Sequence, residues 1–214
     1  MIFVDSQLSF IYARIANLMA SRFADLRNNG RSYSPGRPSL YEAFTTACGV
    51  SESPKAAELA KKALDPKGGP RVQITETDTI EKGKLKSTYG TYYAGDADLL
   101  VIDDDLAAVA EYDLSRGFDP AADFLEAVML HECVHWARRW AGLDPGNVVK
   151  HGVPIEAGHY FETLAYGGRM DQLSTWPTDS LARLNDARRF LSVNNVLMNS
   201  RVPVYKRARP KLIW

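Results

Sequence analysis

Four histidines occur in this 214-residue chain, and all of them lie between positions 131 and 159. Two fall in the run His131-Glu132-Cys133-Val134-His135. Side chains four apart on a helix share a face, with Cβ atoms about 6 Å apart, so two neutral imidazoles can hold one Zn²⁺ there. Glu132 follows the first imidazole and can lie beside the metal, where a carboxylate takes a proton from bound water. The plainer alternative is a pair of exposed helix histidines around a salt-bridging glutamate. Placement inside a long amphipathic helix favours the metal motif, which requires that setting.

Catalytic zinc usually keeps three protein ligands and one open position. A histidine six residues beyond His135 would mark one class of such sites, but that position is Ala141. The remaining candidates are Glu156, His159 and Glu162, all in the next predicted helix. His159, Glu162 and Tyr166 share one face of it, and Glu156 shares another flank with His159 and Tyr160. Spacing alone leaves the three open. Cys133 is two helical steps from His131 and turns away from the pair, which makes it a buried thiol rather than a ligand. A Cys48–Cys133 disulfide stays open. His151 reads as a solvated loop residue.

The elements that must position these groups can be traced from their punctuation. Pro120 to Ala141 is the clearest helix: Asp119 can cap it, Pro120 suits its first position, Arg138 and Arg139 suit its last turns, and Gly142 can end it. A second helix is expected from Ile155 to Tyr166, stopped by Gly167-Gly168. Trp136 and Trp140, with Leu125 and Met129, form an apolar stripe that belongs to the core. Upstream, a helix is expected around residues 7–27, with short ones at Ser39–Cys48 and Ser53–Leu64. Lys67-Gly68-Gly69-Pro70 breaks the chain before a β-rich stretch. There Arg71–Thr75, Thr88–Tyr93 and Asp98–Asp103 read as strands. Asp103-Asp104-Asp105 reads as a strand end or helix cap, since calcium-loop spacing is missing. A last helix is expected from Asp179 to about Val193, and Val202–Trp214 reads as a strand or strap.

The expected architecture is α+β in a single domain spanning 1–214: mainly helical, with a small sheet beside the active helix. Its parts are a helical N-terminal portion at 1–66, a core at 71–168, and a C-terminal helix and tail at 169–214. Composition fits this: 45% of residues are hydrophobic and 24% charged, and 26 basic side chains balance 26 acidic ones. Such a balance argues against nucleic-acid binding, which needs a cationic face. No run has the apolar length of a membrane span, and two cysteines do not make a disulfide framework. Met1-Ile2-Phe3-Val4-Asp5, with no basic start and no unbroken apolar run, does not read as an export signal. The expected location is the producer's cytoplasm, with delivery by a route that reads no N-terminal signal.

The run His131-Glu132-Cys133-Val134-His135-Trp136, followed by Glu156-x-Gly158-x-x-Phe161-Glu162-x-x-x-Tyr166-Gly167-Gly168, resembles the metallopeptidase toxin domains. These are zincins of bacterial polymorphic toxins and type VI secretion effectors. The resemblance spans roughly residues 86–168 and fits Asp98–Asp103 as the strand beside the active helix. It implies a zincin fold and Glu162 as the third zinc ligand with His131 and His135. Deuterolysin-like enzymes carry an aspartate where this chain has Thr163, so the glutamate-type site is preferred. The implied activity is that of a zinc-dependent endopeptidase toxin acting on a protein or peptide. Glu132 would be its general base, Tyr166 or His159 its oxyanion donor, and an immunity protein would guard the producer. Two alternatives carry over: a non-catalytic module stapled by the metal, and a hydrolase of a non-protein amide such as cell wall. Glu132 speaks against the first, because a structural site needs no general base.

Overall fold

Between Pro120 and Ala141, apolar residues occupy nearly every angular position of a helix, as expected of a rod with neighbours on all sides. The computed structural model describes residues 2–3, 12–29, 31–33, 35–75, 77, 79–81, 84–86, 89–92, 95–118, 120–170 and 185–192. The helices are α1 (Ala13–Asn29), α2 (Leu40–Ala47), α3 (Pro54–Ala63), α4 (Asp104–Ser115), α5 (Pro120–Ala141) and α6 (Ala157–Tyr166). The strands are β1 (Ile2–Phe3), β2 (Arg71–Thr75), β3 (Thr79–Glu81), β4 (Lys84–Lys86), β5 (Gly90–Tyr92), β6 (Leu99–Asp103), β7 (Asn147–Lys150) and β8 (Val153–Glu156). Residues 185–192 are also helical. The fold is mixed α+β and mainly helical, as the sequence predicts.

Helix α5 is the central element. It packs on α2, α3, α4 and α6, and against β5 and β6 of the main sheet. That sheet has the order β1-β2-β6-β5. Its first three strands are parallel, and β5 runs antiparallel to β6 at the edge. Leu100 and Ile102 of β6 and Val72 and Ile74 of β2 alternate into the core, where Phe124, Leu125 and Met129 meet them as one cluster. The Trp136 indole N–H donates to Asp98 Oδ1 at 3.2 Å, tying α5 to the start of β6.

Polar devices fix the remaining helices. Ser39 and Glu42 close a capping box at the start of α2. Asp103 caps α4 by accepting from the backbone N–H groups of Asp105 and Leu106, so the Asp103-Asp104-Asp105 run is a helix start. Glu111 of α4 accepts from the Ile15 backbone N–H at 3.0 Å. Its carboxylate thereby satisfies an otherwise orphan donor in the first turn of α1.

The structure departs from the sequence expectations at several points. Helix α4 was not foreseen. The connection after Gly142 contains the hairpin β7–β8, turned by His151 at φ 52° and Gly152 at φ 78°. Positive φ at both turn residues is the two-residue arrangement that matches strand twist. The hairpin moves the start of the next helix from Ile155 to Ala157 and leaves Glu156 at the junction. Cys48 and Cys133 are both buried free thiols. Trp136 belongs to the core as expected, whereas Trp140 is 40% exposed and donates to the Ala97 carbonyl. Asp119, the first part of the predicted C-terminal helix, and the tail lie outside the described residues, while 185–192 of that helix are helical as expected.

Strand β5 lies so close to α5 that Gly90 has no room for a side chain. A Cβ there would sit 2.7 Å from Val128 Cγ1 and 3.3 Å from Glu132 Cγ. Gly90→Ala is therefore expected to destabilise the fold by about 1–3 kcal/mol through overpacking. The check is the shift of its urea midpoint, and an unchanged midpoint would refute the close-packing account.

Candidate metal centre

Helix α5 brings His131 and His135 together one turn apart, with ring centroids 5.1 Å from each other. Each ring is held through Nδ1. His135 Nδ1 meets the Pro145 carbonyl oxygen at 2.6 Å and therefore donates to it. His131 Nδ1 meets Glu162 Oε1 at 2.8 Å. With the Nδ1 protons engaged, the Nε2 atoms carry the lone pairs available to a metal. Both Nε2 atoms face the same carboxylate. His135 Nε2 lies 2.7 Å from Glu156 Oε1, and His131 Nε2 lies 3.6 Å from Glu156 Oε2.

Glu156 is held from the other side by the helix it begins. Its Oε1 accepts from the Gly158 N–H at 2.9 Å and its Oε2 from the His159 N–H at 2.6 Å. This is N-capping by a carboxylate, which the positive end of the helix dipole favours. Gly158 is required for the approach of α6 to α5. A Cβ at that position would lie 2.3 Å from His131 Cγ and 2.4 Å from its Nε2.

Glu162, the third ligand that the sequence resemblance implies, meets one histidine of the pair. Its Oε1 is on the Nδ1 side of His131, and its Oε2 accepts from the Met170 backbone N–H at 3.0 Å. Within the described residues, two trios bring one ligand atom each to within 4.8 Å of one another: His131, His135, Glu156 and His131, His159, Glu162. Only the first contains both histidines of the motif. Its donor set of two imidazole nitrogens and a carboxylate suits a borderline metal such as zinc.

Glu132 completes the cluster. It is buried, its Oε1 is 3.9 Å from His131 Nε2, and it accepts a hydrogen bond from the Tyr92 backbone of β5. His159 Nδ1 lies 3.1 Å from Glu156 Oε2, and the ring is partly exposed. Tyr166 packs edge-on against Tyr33 and Phe161 and is buried, in keeping with a core role. Cys133 is buried, and burial pushes its thiol up to about 12, so no thiolate is on offer. His151 is exposed in the hairpin turn.

Three carboxylates against the histidines dominate the electrostatics. Burial opposes the His131 imidazolium, but the Glu162 hydrogen bond, reinforced by Glu132 and Glu156, outweighs it and raises the group to about 9. For His135, burial is likewise outweighed by its hydrogen bond to Glu156, and the shift is upward. Burial pushes Glu156 up, yet His135 and His131 bring it down to about 2. Burial raises Glu132, with the nearby histidines only partly offsetting it. The metal-free cluster thus retains protons that a divalent cation would replace.

Sequence reasoning assembled His131, Glu132 and His135 and named Glu156, His159 and Glu162 as candidates for a third ligand, with Glu162 preferred from the resemblance. It assigned no role to Gly158, although that glycine stands in the quoted pattern. It also missed the Pro145 carbonyl, a backbone group without a side-chain signature.

Comparison with protein families matches residues 12–167 to the family described as Metallopeptidase toxin 3. The match extends well upstream of the stretch that carries the resemblance and takes in most of the N-terminal helical part. No curated protein and no solved structure matches the chain.

The cluster predicts a pH dependence for the metal-free protein. His131 holds its proton more tightly when folded, so this stabilisation is complete below its ordinary value of 6.5 and disappears as pH rises through about 9. His135 acts in the same direction. The melting temperature in chelator should therefore fall between those limits, and Glu162→Gln should flatten the fall. A flat profile for the native chain would remove the proton-holding cluster.

Proposed function

The chain belongs to the metallopeptidase toxin 3 family, and from that premise we propose that it is a zinc-dependent endopeptidase whose ion is held by His131, His135 and Glu156. One observation carries this reading: both Nε2 atoms converge on Glu156, while both Nδ1 atoms are already engaged by Glu162 and the Pro145 carbonyl. Glu162, the ligand implied by the sequence resemblance, becomes a positioning residue in this reading. It fixes the ring of His131, and its second oxygen is engaged by Met170. Metal-bound histidines almost always donate their other N–H to such a partner.

Bound there, Zn²⁺ would polarise the scissile carbonyl and lower the pKa of a water to about 7. Glu132 accepts the proton of the attacking water and passes it to the departing amine. Its burial supports that role, because a carboxyl raised toward the working pH both accepts and returns a proton effectively. The Tyr92 N–H fixes where that carboxylate points. His159 borders the same carboxylate as the two ligands and is the donor we assign to the developing oxyanion.

The toxin family supports a protein substrate and delivery into a target cell. We read the chain as the toxic domain of a bacterial effector with a zincin-like active helix. A cognate immunity protein would close the cleft in the producer.

Two outcomes follow. Glu156→Ala should abolish stoichiometric zinc uptake, whereas Glu162→Ala should weaken it by roughly 10–100-fold. Metal content and chelator competition measure both, and the reverse ordering would return Glu162 to the ligand set. Glu132→Gln should keep the zinc and lose roughly 10²–10⁴-fold in hydrolysis. New protein N-termini, detected by mass spectrometry after incubation with cell extract, provide the readout. Equal cleavage by this variant would end the mechanism, and no new N-termini with the native chain would end the endopeptidase reading.

A further inference from the structure

Arg138 is fully buried on α5, three residues beyond His135. A buried guanidinium needs an acceptor for each edge of its fork, and this one has them on three segments. Its Nη1 donates to the Ala47 carbonyl at the end of α2 at 3.1 Å, and Glu52 faces Nη1 and Nη2 at 3.3 and 3.5 Å. Its Nε donates to the Asp144 carbonyl at 2.7 Å and its Nη2 to the Asn147 carbonyl at 3.0 Å. Gly49, at φ 86°, keeps the space open, since a Cβ there would sit 3.0 Å from Arg138 Nη1.

The two carbonyls clamped by Arg138 bracket two others that face the metal centre. Pro145 O accepts from His135 Nδ1 at 2.6 Å, and Gly146 O accepts from the Ala157 N–H at 3.0 Å. Four consecutive carbonyls are thus engaged by Arg138, His135, Ala157 and again Arg138. Ala157 directly follows Glu156, and Asn147 pairs with Glu156 across β7–β8. The Asp144 side chain braces the loop from inside, accepting from the Gly146 and Asn147 N–H groups at 2.8 and 3.2 Å.

We propose that Arg138 is a positioning residue that sets the orientation of His135 and the placement of Glu156 through the loop Asp144–Asn147, without touching the metal. The proposal rests on the reading of those two residues as ligands. A carbonyl on a loop fixes an imidazole only as firmly as the loop itself is fixed. Arg138 spans the loop from both ends, so the acceptor of His135 stays in place. A lysine carries the same charge but not the planar fork, and it cannot hold both ends at once.

The experiment compares the metal-free full chain, labelled with ¹⁵N-histidine, as native protein and as Arg138→Lys. Long-range ¹H–¹⁵N spectra, recorded above the titration of the rings, report which nitrogen of each carries its proton. In native His135 the Pro145 carbonyl draws the proton to Nδ1 against the competing Glu156 carboxylate at Nε2. Arg138→Lys should shift His135 toward the Nε2–H form and leave His131 unchanged, since His131 is held by Glu162. Glu162→Gln should do the reverse. Zinc affinity of Arg138→Lys, by competition with a chromophoric chelator, should fall by roughly 10–100-fold. Native His135 signals and native affinity in this variant would overturn the proposal.

Should Arg138→Lys fail to fold, Asp144→Ala tests the same loop from an exposed position. It should disturb His135 alone and be rescued by Asp144→Asn; an undisturbed His135 would again overturn the proposal. Zinc binding by the native chain is read separately. If it takes up none, the metal reading fails, while the tautomer comparison still decides the role of Arg138.

Discussion

A helix that crosses a protein core with charged side chains on it constrains everything packed around it. Helix α5 carries Glu126, Glu132 and Arg138 in buried positions, and His131 and His135 nearly so. Leaving one buried charge without its partner costs about 3–5 kcal/mol, on the scale of a domain's whole stability. Several neighbours of α5 therefore supply polar groups as well as apolar surface. Arg22 of α1, at 2.9 Å, and Arg31 answer Glu126. Strand β5 answers Glu132 through the Tyr92 N–H. Glu52 and the loop after α5 answer Arg138, and α6 answers His131 through Glu162. Apolar burial brings these elements together, and the buried charges settle how each sits on α5.

The same logic governs the histidines. An imidazole with its Nδ1 proton committed presents Nε2 in one direction only. Two rings so committed and aimed at one carboxylate require that α5, the loop after it and the start of α6 agree to within a fraction of an ångström. The fit of Gly158 against the His131 ring reflects that demand. The surplus of carboxylate is the electrostatic counterpart. Glu132, Glu156 and Glu162 surround the rings with more negative charge than the protein alone neutralises without bound protons, an environment that favours a cation.

Much of this was legible in the sequence. Helix α5 is bounded by Pro120 and Gly142, and strands β2, β5 and β6 show as short β-rich runs between breaks. Helix α4 was not legible because Leu106 to Glu111 are all buried, which erases the alternation of polar and apolar faces that marks a helix. The β7–β8 hairpin was hidden by Pro154 within a strand and by a histidine, rather than asparagine or glycine, at the first turn position. Missing that hairpin placed Glu156 inside the helix, where its side chain would lie nearly two turns from Glu162 and on another flank. At the strand–helix junction it points at the motif histidines instead. Where the Glu156 carboxylate lies relative to the histidines thus turned on two residues of helix boundary. The roles of Arg138 and the Pro145 carbonyl depend on contacts between separate segments, and no local pattern announces them.

The way Glu156 is held also bears on whether the centre is a staple or a catalyst. In small zinc domains the ligands come together only when the ion binds, and the binding energy is folding energy. Here the carboxylate is capped by the Gly158 and His159 N–H groups, and the histidine rings are oriented by Glu162 and Pro145. These restraints come from the protein's own groups, inside a core built by six other packed elements around α5. A core packed on that scale has no need of a metal for cohesion. In the proposed site, preorganisation of this kind would lower the cost of loading an ion and would fix its ligands relative to Glu132. A structural staple has no use for a buried carboxylate held beside the two histidines by a backbone N–H. Under the proposed reading the arrangement favours catalysis, with α5 supplying the base and two ligands and Glu156, at the junction of β8 and α6, closing the set.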